Sequence, residues 1–170
     1  MSTETSIERH TIAVLVDNEA GVLARVIGLF SGRGYNIESL TVAEVDSAGH
    51  TSRITIVTRG TPMVIEQIKA QLERLVPVHK VVDLSSDAPG IEREMAMVKV
   101  AGVGEKRVEA LRLSDAFRAR VIDTTHTSFV FEVTGAPDKI DAFVGLMRPL
   151  GLVDVSRTGV VAIARGPEAM

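Results

Sequence analysis

The sequence predicts an α+β protein built from two similar halves, each running β-α-β-β-α-β. Three observations carry this. A β-branched run of strand length is followed by helical apolar spacing, two further strand runs, a second helical stretch and a last strand. The same order returns after residues 85–90, a segment of turn formers and one alanine. The connections between neighbouring strands are hairpin-sized, which leaves no room for the crossover helices of a doubly wound parallel sheet. Each half is therefore expected to be an antiparallel sheet with two helices on one face, the ferredoxin-like arrangement. The expected domains are 10–85 and 91–166.

In the first half, residues 11–16 are a β-branched strand ended by Asp17-Asn18. Leu23, Val26, Ile27 and Phe30 fall at i, i+3, i+4 and i+7, one face of a helix that Gly32 and Gly34 stop. Residues 36–45 and 51–59 read as strands around the turn Asp46-Ser47-Ala48-Gly49. Thr61-Pro62 opens a second helix with an apolar face of Ile65, Ile68, Leu72 and Leu75. Residues 78–84 supply the fourth strand, and 85–90 is expected to be the linker.

In the second half, residues 95–101 form a strand, 105–119 a helix, and 121–124 with 129–134 a hairpin pair. Ala136-Pro137 opens a helix carrying Ile140, Phe143, Val144 and Met147 at i, i+3, i+4, i+7. Residues 152–155 close the repeat, and 160–164 can add a short strand.

Composition narrows the functions. Of 170 residues, 45% are hydrophobic and 24% charged, which excludes a disordered chain. A formal net charge of −3 offers no bulk attraction to nucleic acid or to anionic membrane. With no cysteine there is no disulfide framework, thiolate metal site or cysteine nucleophile. The polar start shows no signal-peptide core, and no apolar run approaches the ~20 residues that span a bilayer. A cytoplasmic protein is expected.

Catalytic signatures are missing: there is no Gly-x-Ser-x-Gly elbow, His-Glu-x-x-His pair or phosphate loop. The four histidines are scattered along separate strands and turns, and read as surface or half-buried residues, not metal ligands. Gly102-Val103-Gly104 with Asp123 imitates a dinucleotide site, but Arg107 stands at the third glycine position and the next strand arrives by a hairpin. Lys106, Arg107, Arg112, Arg118 and Arg120 spread around their helix, as a solvated or partner-docking face would. Arg25 and Arg33, eight apart, lie near one helical face and read as solvated arginines.

The most informative segment is Asp17-Asn-Glu-Ala-Gly-Val-Leu23, where the first strand turns into the first helix. A helix start presents unpaired N–H groups and partial positive charge, which suits a carboxylate or phosphate. Gly21 leaves room for a ligand, and Asn18 offers both a donor and an acceptor. On the residues alone, the plain role is the stronger reading: Asn18 as helix cap and Gly21 as a packing contact. Gly32-Arg-Gly-Tyr-Asn36 likewise reads as a helix stop and turn.

Taken together, Asn18-Glu-Ala-Gly-Val-Leu-Ala-Arg-Val-Ile-Gly-Leu-Phe-Ser31 and Arg33-Gly-Tyr-Asn-Ile-Glu-Ser-Leu-Thr-Val42 resemble the ACT domain of the small, regulatory subunit of acetolactate synthase. Ile91-Glu-Arg-Glu94, Phe117-Arg-Ala119, Glu132-Val-Thr-Gly135, Lys139-Ile-Asp-Ala-Phe143 and Arg157-Thr-Gly-Val-Val-Ala162 resemble that family's C-terminal domain. The likeness runs from about His10 to Gly166. Gly32 and the 102–104 turn depart from the family pattern.

The resemblance implies a non-catalytic chain that activates a large subunit and confers feedback inhibition by valine or another branched-chain amino acid. It implies thiamine diphosphate, magnesium and FAD in that large subunit and no cofactor or metal in this chain. It further implies a homodimer of side-by-side ACT domains. The effector would lie between Asn18, Gly21, Val22 and Leu23 of one copy and Asn36 and Ile37 of the other. The alternative expectation is a free-standing amino-acid sensor or transcription regulator.

Overall fold

A computed structural model describes residues 6–170. The element order is β1 (Glu8–Asp17), α1 (Val22–Arg33), β2 (Ile37–Asp46), β3 (Thr51–Gly60), α2 (Pro62–Arg74) and β4 (Val78–Asp83). It continues with β5 (Gly90–Ala101), α3 (Glu105–Ala116), β6 (Arg120–Thr124), β7 (Ser128–Gly135), α4 (Pro137–Met147), β8 (Leu152–Arg157) and β9 (Val161–Ala164). Two β-α-β-β-α-β units result, an α+β fold as expected. Residues 1–91 with 160–170 form one compact unit, and residues 92–159 the other.

In the first unit the strand order is β2-β3-β1-β4, and each pairing is antiparallel. Ile12, Val14 and Val16 of β1 and Ile54 and Ile56 of β3 point to the helices, where they meet Val26, Phe30, Ile65, Ile68 and Leu72. Each such side chain contributes roughly 1.5–3 kcal/mol on burial. Thr61 caps α2, its side chain accepting from Val64 N–H at 3.4 Å, and Pro62 fills a first-turn position.

The α1 face differs from the expected one. Val22, Val26 and Phe30 are buried, while Leu23 and Ile27 stand 38% and 39% exposed. The stripe that meets the sheet runs through 22, 26 and 30, so Leu23 and Ile27 lie about 100° round from its line. Gly34, at φ +70°, ends the helix, and Gly32 lies inside it.

Residues 85–89 form an ordered turn that leads into β5 at Gly90. Asp83 is fully buried and accepts from Ser85 N–H at 2.8 Å and Ser86 Oγ at 2.9 Å. His10, itself buried, places Nδ1 2.6 Å from the same carboxylate. Lys69 Nζ reaches Asp87 at 2.9 Å, and its hydrogen bond is the main cause holding the Asp87 carboxyl below the usual aspartate range. Turn-forming composition thus marks a bend that polar contacts fix, not a slack tether.

Residues 160–170, which the local pattern attaches to the second repeat, pack on the first unit's sheet face opposite the helices. Arg53 Nη2 donates to Ala162 C=O at 2.7 Å and Thr41 Oγ1 to Val160 C=O at 3.1 Å, while Val160 N–H donates to Ser39 Oγ at 2.9 Å. Ala13, Leu84 and Ala162 form a small apolar cluster there.

The second unit orders its strands β6-β7-β5-β8. Its core gathers Val98, Phe131, Ile140, Phe143 and Met147, so the α4 face is the expected one. Glu94, almost fully buried, receives Arg157 in two bonds of 2.7 and 2.8 Å, and Arg157 also reaches Asp141 at 2.7 Å. Those bonds, led by Glu94, hold the guanidinium charged well past its ordinary range. Arg107, at the third glycine position of the dinucleotide-like motif, lies 3.9 Å over the Phe129 ring. Asp123 sits on a strand paired antiparallel to β7, so no crossover unit exists for a dinucleotide.

Candidate functional site

The β1–α1 turn is held from both sides. Asp17 N–H donates to Pro77 C=O at 3.2 Å, and its carboxylate contacts His79. Asn18 N–H donates to His50 C=O at 2.6 Å. The Asn18 amide does not cap α1: its Nδ2 donates to Glu44 Oε2 at 2.6 Å, tying the turn to the far end of β2.

Gly21 is the residue that requires glycine. Its φ is +86°, and a Cβ built there would meet no atom within 4 Å, so backbone conformation and not crowding selects it. No side chain caps α1 and no acidic residue lies in its first turn, so the positive end of the helix has no side-chain anion of its own. Val22 is buried and its N–H donates to Glu19 C=O at 3.4 Å; Leu23 is exposed beside it. The corner therefore combines N–H groups for a carboxylate, an apolar side chain, and the Asn18–Glu44 pair.

Asn36 and Ile37 lie elsewhere. Asn36 C=O accepts from Thr58 Oγ1 at 2.6 Å, and its exposed side chain faces solvent. Ile37 begins β2 opposite Thr58 and packs partly on the core. The 12 residues of α1 separate them from Gly21, about 18 Å along the helix. One chain brings together Asn18, Gly21, Val22 and Leu23, and keeps Asn36 and Ile37 at the opposite end.

Glu44 is the member of this corner that sequence reasoning missed. Its only local signal is its place on an exposed strand; the partner Asn18 is 26 positions away. β2 itself is an edge strand, with Val42 and Val45 exposed at 43% and 55%.

Family models match both halves: "AHAS small subunit-like ACT domain" over residues 12–80 and "Small subunit of acetolactate synthase" over residues 93–166. A probable acetolactate synthase small subunit of Archaeoglobus fulgidus is 48% identical over 158 residues, covering 93% of this chain and 98% of its own. The isozyme 3 small subunit of Salmonella typhimurium is 46% identical, with 95% and 99% covered. The crystal structure of the Thermotoga maritima small subunit superimposes with a TM-score of 0.83 at 37% identity, covering 95% of this chain and 99% of that one. With two family models in register with its two β-α-β-β-α-β units, and relatives matched almost end to end, the chain belongs to the acetolactate synthase small-subunit family.

Proposed function

We propose that this chain regulates acetolactate synthase: it binds and activates the thiamine-diphosphate-dependent large subunit and makes it sensitive to a branched-chain amino acid, valine first. Thiamine diphosphate, magnesium and FAD stay with the large subunit, and this chain contributes no catalytic group. The carrying observation is the split of the candidate residues across α1 together with the free β2 edge. Asn18 is tied to Glu44, at the end of β2 remote from Asn36. Antiparallel pairing of β2 with β2 of a second copy would set Asn36 and Ile37 of that copy against the Asn18–Leu23 corner. It would also cover the exposed edge, a standing liability of open sheets.

In such a site each part of an amino acid has a counterpart. The α1 N–H groups and helix dipole face its carboxylate. Glu44 supplies a carboxylate for its ammonium, and Leu23 an apolar wall for a branched side chain. Ordering this corner and the second copy's strand start links effector binding to the dimer, which is how a chain without catalytic groups can alter its partner's activity.

Co-purification with the large subunit, followed by acetolactate assay with and without valine, tests the reading. The expected result is a stable complex whose activity exceeds that of the large subunit alone and falls with valine. Saturable valine binding with no effect on the synthase would instead favour a free-standing sensor.

A further inference from the structure

A shallow groove of about 470 Å³ runs between α1 and α2 of the first unit, lined by Arg25, Leu29, Arg33, Gln71, Arg74 and Leu75. Three of those six side chains are guanidinium groups and none is a carboxylate, on a chain whose formal net charge is −3. Among the described residues, none of the three arginines is held in an ion pair. Arg25 donates to Val76 C=O at 2.7 Å, which fixes its direction without neutralising it. Arg33 and Arg74 each stand in the last turn of their helix, where a cation complements the dipole. That role accounts for either one alone and not for their convergence, with Arg25, on one groove.

We propose that this groove docks an acidic helical segment of the acetolactate synthase large subunit. The inference rests on the proposed regulatory role and names where on this chain the partner sits. Charge complementarity selects the partner's chemistry, because three unpaired cations on an otherwise acidic protein repel a second copy of the same groove. Spacing selects the form. Arg25 and Arg33 are eight residues apart on α1, about 12 Å, with Arg74 across the groove. That span is too wide for one phosphate and matches carboxylates two turns apart on a helix. Leu29 and Leu75, half-buried between the arginines, offer the apolar floor that such a helix needs for its own intervening side chain. The groove belongs to the helix layer, so pairing of two copies through β2 leaves it open.

The test uses the full chain and the purified large subunit. Affinity is measured at low and moderate salt for the wild type, for the double variant Arg33→Glu/Arg74→Glu, and for Arg33→Lys/Arg74→Lys. Arg25 is left untouched because it also holds Val76. The expected result is at least about tenfold weaker binding and a flatter salt dependence for the glutamate variant, with the lysine variant close to wild type. Valine affinity and the melting curve should stay near wild type, which separates docking from folding. If the double variant does not fold, Arg74→Glu alone carries the same comparison. Unchanged affinity and salt dependence on charge reversal would overturn the proposal. So would wild-type binding of inorganic pyrophosphate that is lost on reversal while large-subunit affinity stays the same, because that marks a small-anion site. A wild-type chain that never binds the large subunit would overturn the regulatory reading itself, a result distinct from a groove that makes no difference.

Discussion

The two units share an element order and even an irregularity: β1 and β4 shift register between Leu15 and Val16, and β5 and β8 between Lys99 and Val100. Their first helices nevertheless begin in opposite electrostatic states. α1 starts at Gly21 with no acidic residue in its first turn. α3 starts at Gly104 and places Glu105 in its first turn, and the groove beside it adds Glu109. A carboxylate at that position satisfies the positive helix end from within the chain. The same fold has therefore built one helix start without a first-turn carboxylate and one with it, so the proposed effector site rests on particular residues and not on the topology.

The largest effect expected on this comparison comes from breaking one unit and reading the other. Phe143 is fully buried, 5.3 Å from the Phe117 ring centroid and 6.0 Å from that of Phe131. Phe143→Ala should destabilise the second unit by ~3–5 kcal/mol. Valine binding, assigned to the first unit, should keep its wild-type affinity. Denaturant unfolding and titration calorimetry on one preparation check both halves of that statement.

Gly21→Asp gives the first unit the carboxylate that the second already has. Like charges ~4 Å apart interact by ~4 kcal/mol at an effective dielectric of 20, and screening reduces this. A loss of valine affinity of at least about tenfold is expected, with activation of the large subunit retained. The open space around Gly21 means that no clash confuses the result, although φ +86° adds some backbone strain. The counterpart Glu105→Gln should change neither valine binding nor stability by more than ~0.5 kcal/mol.

Asn36→Ala removes a side chain that the proposed dimer brings to the effector. Losing one hydrogen bond in a partly desolvated site costs ~1–3 kcal/mol, so valine should bind roughly one to two orders of magnitude more weakly. Asn36 serves the fold through its backbone C=O, which alanine keeps, so the melting temperature should hold. A lower melting temperature with unchanged affinity would make Asn36 structural.

The smallest effect concerns the 85–89 turn, which the second unit's connections do not share. Asp87 is held below its ordinary range, chiefly by the Lys69 hydrogen bond, so the contact stabilises above the unfolded aspartate range. That contribution is lost as pH falls through the lower folded value. Asp87→Asn should melt slightly earlier than wild type near neutral pH, and the two curves should converge in acid.

The local pattern makes the elements legible because burial on one side imprints a period: Ile140, Phe143, Val144 and Met147 are read correctly for that reason. Leu23 and Ile27 share the apolar period yet stand outward, because periodicity locates a stripe without its centre line. The return of residues 160–170 to the first unit depends on Arg53, Thr41 and Ser39 meeting chain more than a hundred positions away, and no local window contains that. Glu44 escaped for the same reason, whereas Gly21 was legible because a glycine before a helical stripe is itself a local signal.

The proposed valine site needs two copies of this chain. A heterodimer purified through two different tags, one copy carrying Gly21→Asp and the other Asn36→Ala, tests it most directly. One of its two sites would combine an intact Asn18–Leu23 corner with an intact Asn36, while the other would hold both lesions. Calorimetric titration should therefore find one valine site per heterodimer at wild-type affinity, although neither mutant homodimer has any. A heterodimer with no wild-type site would mean that each chain binds its effector alone, and would contradict the account.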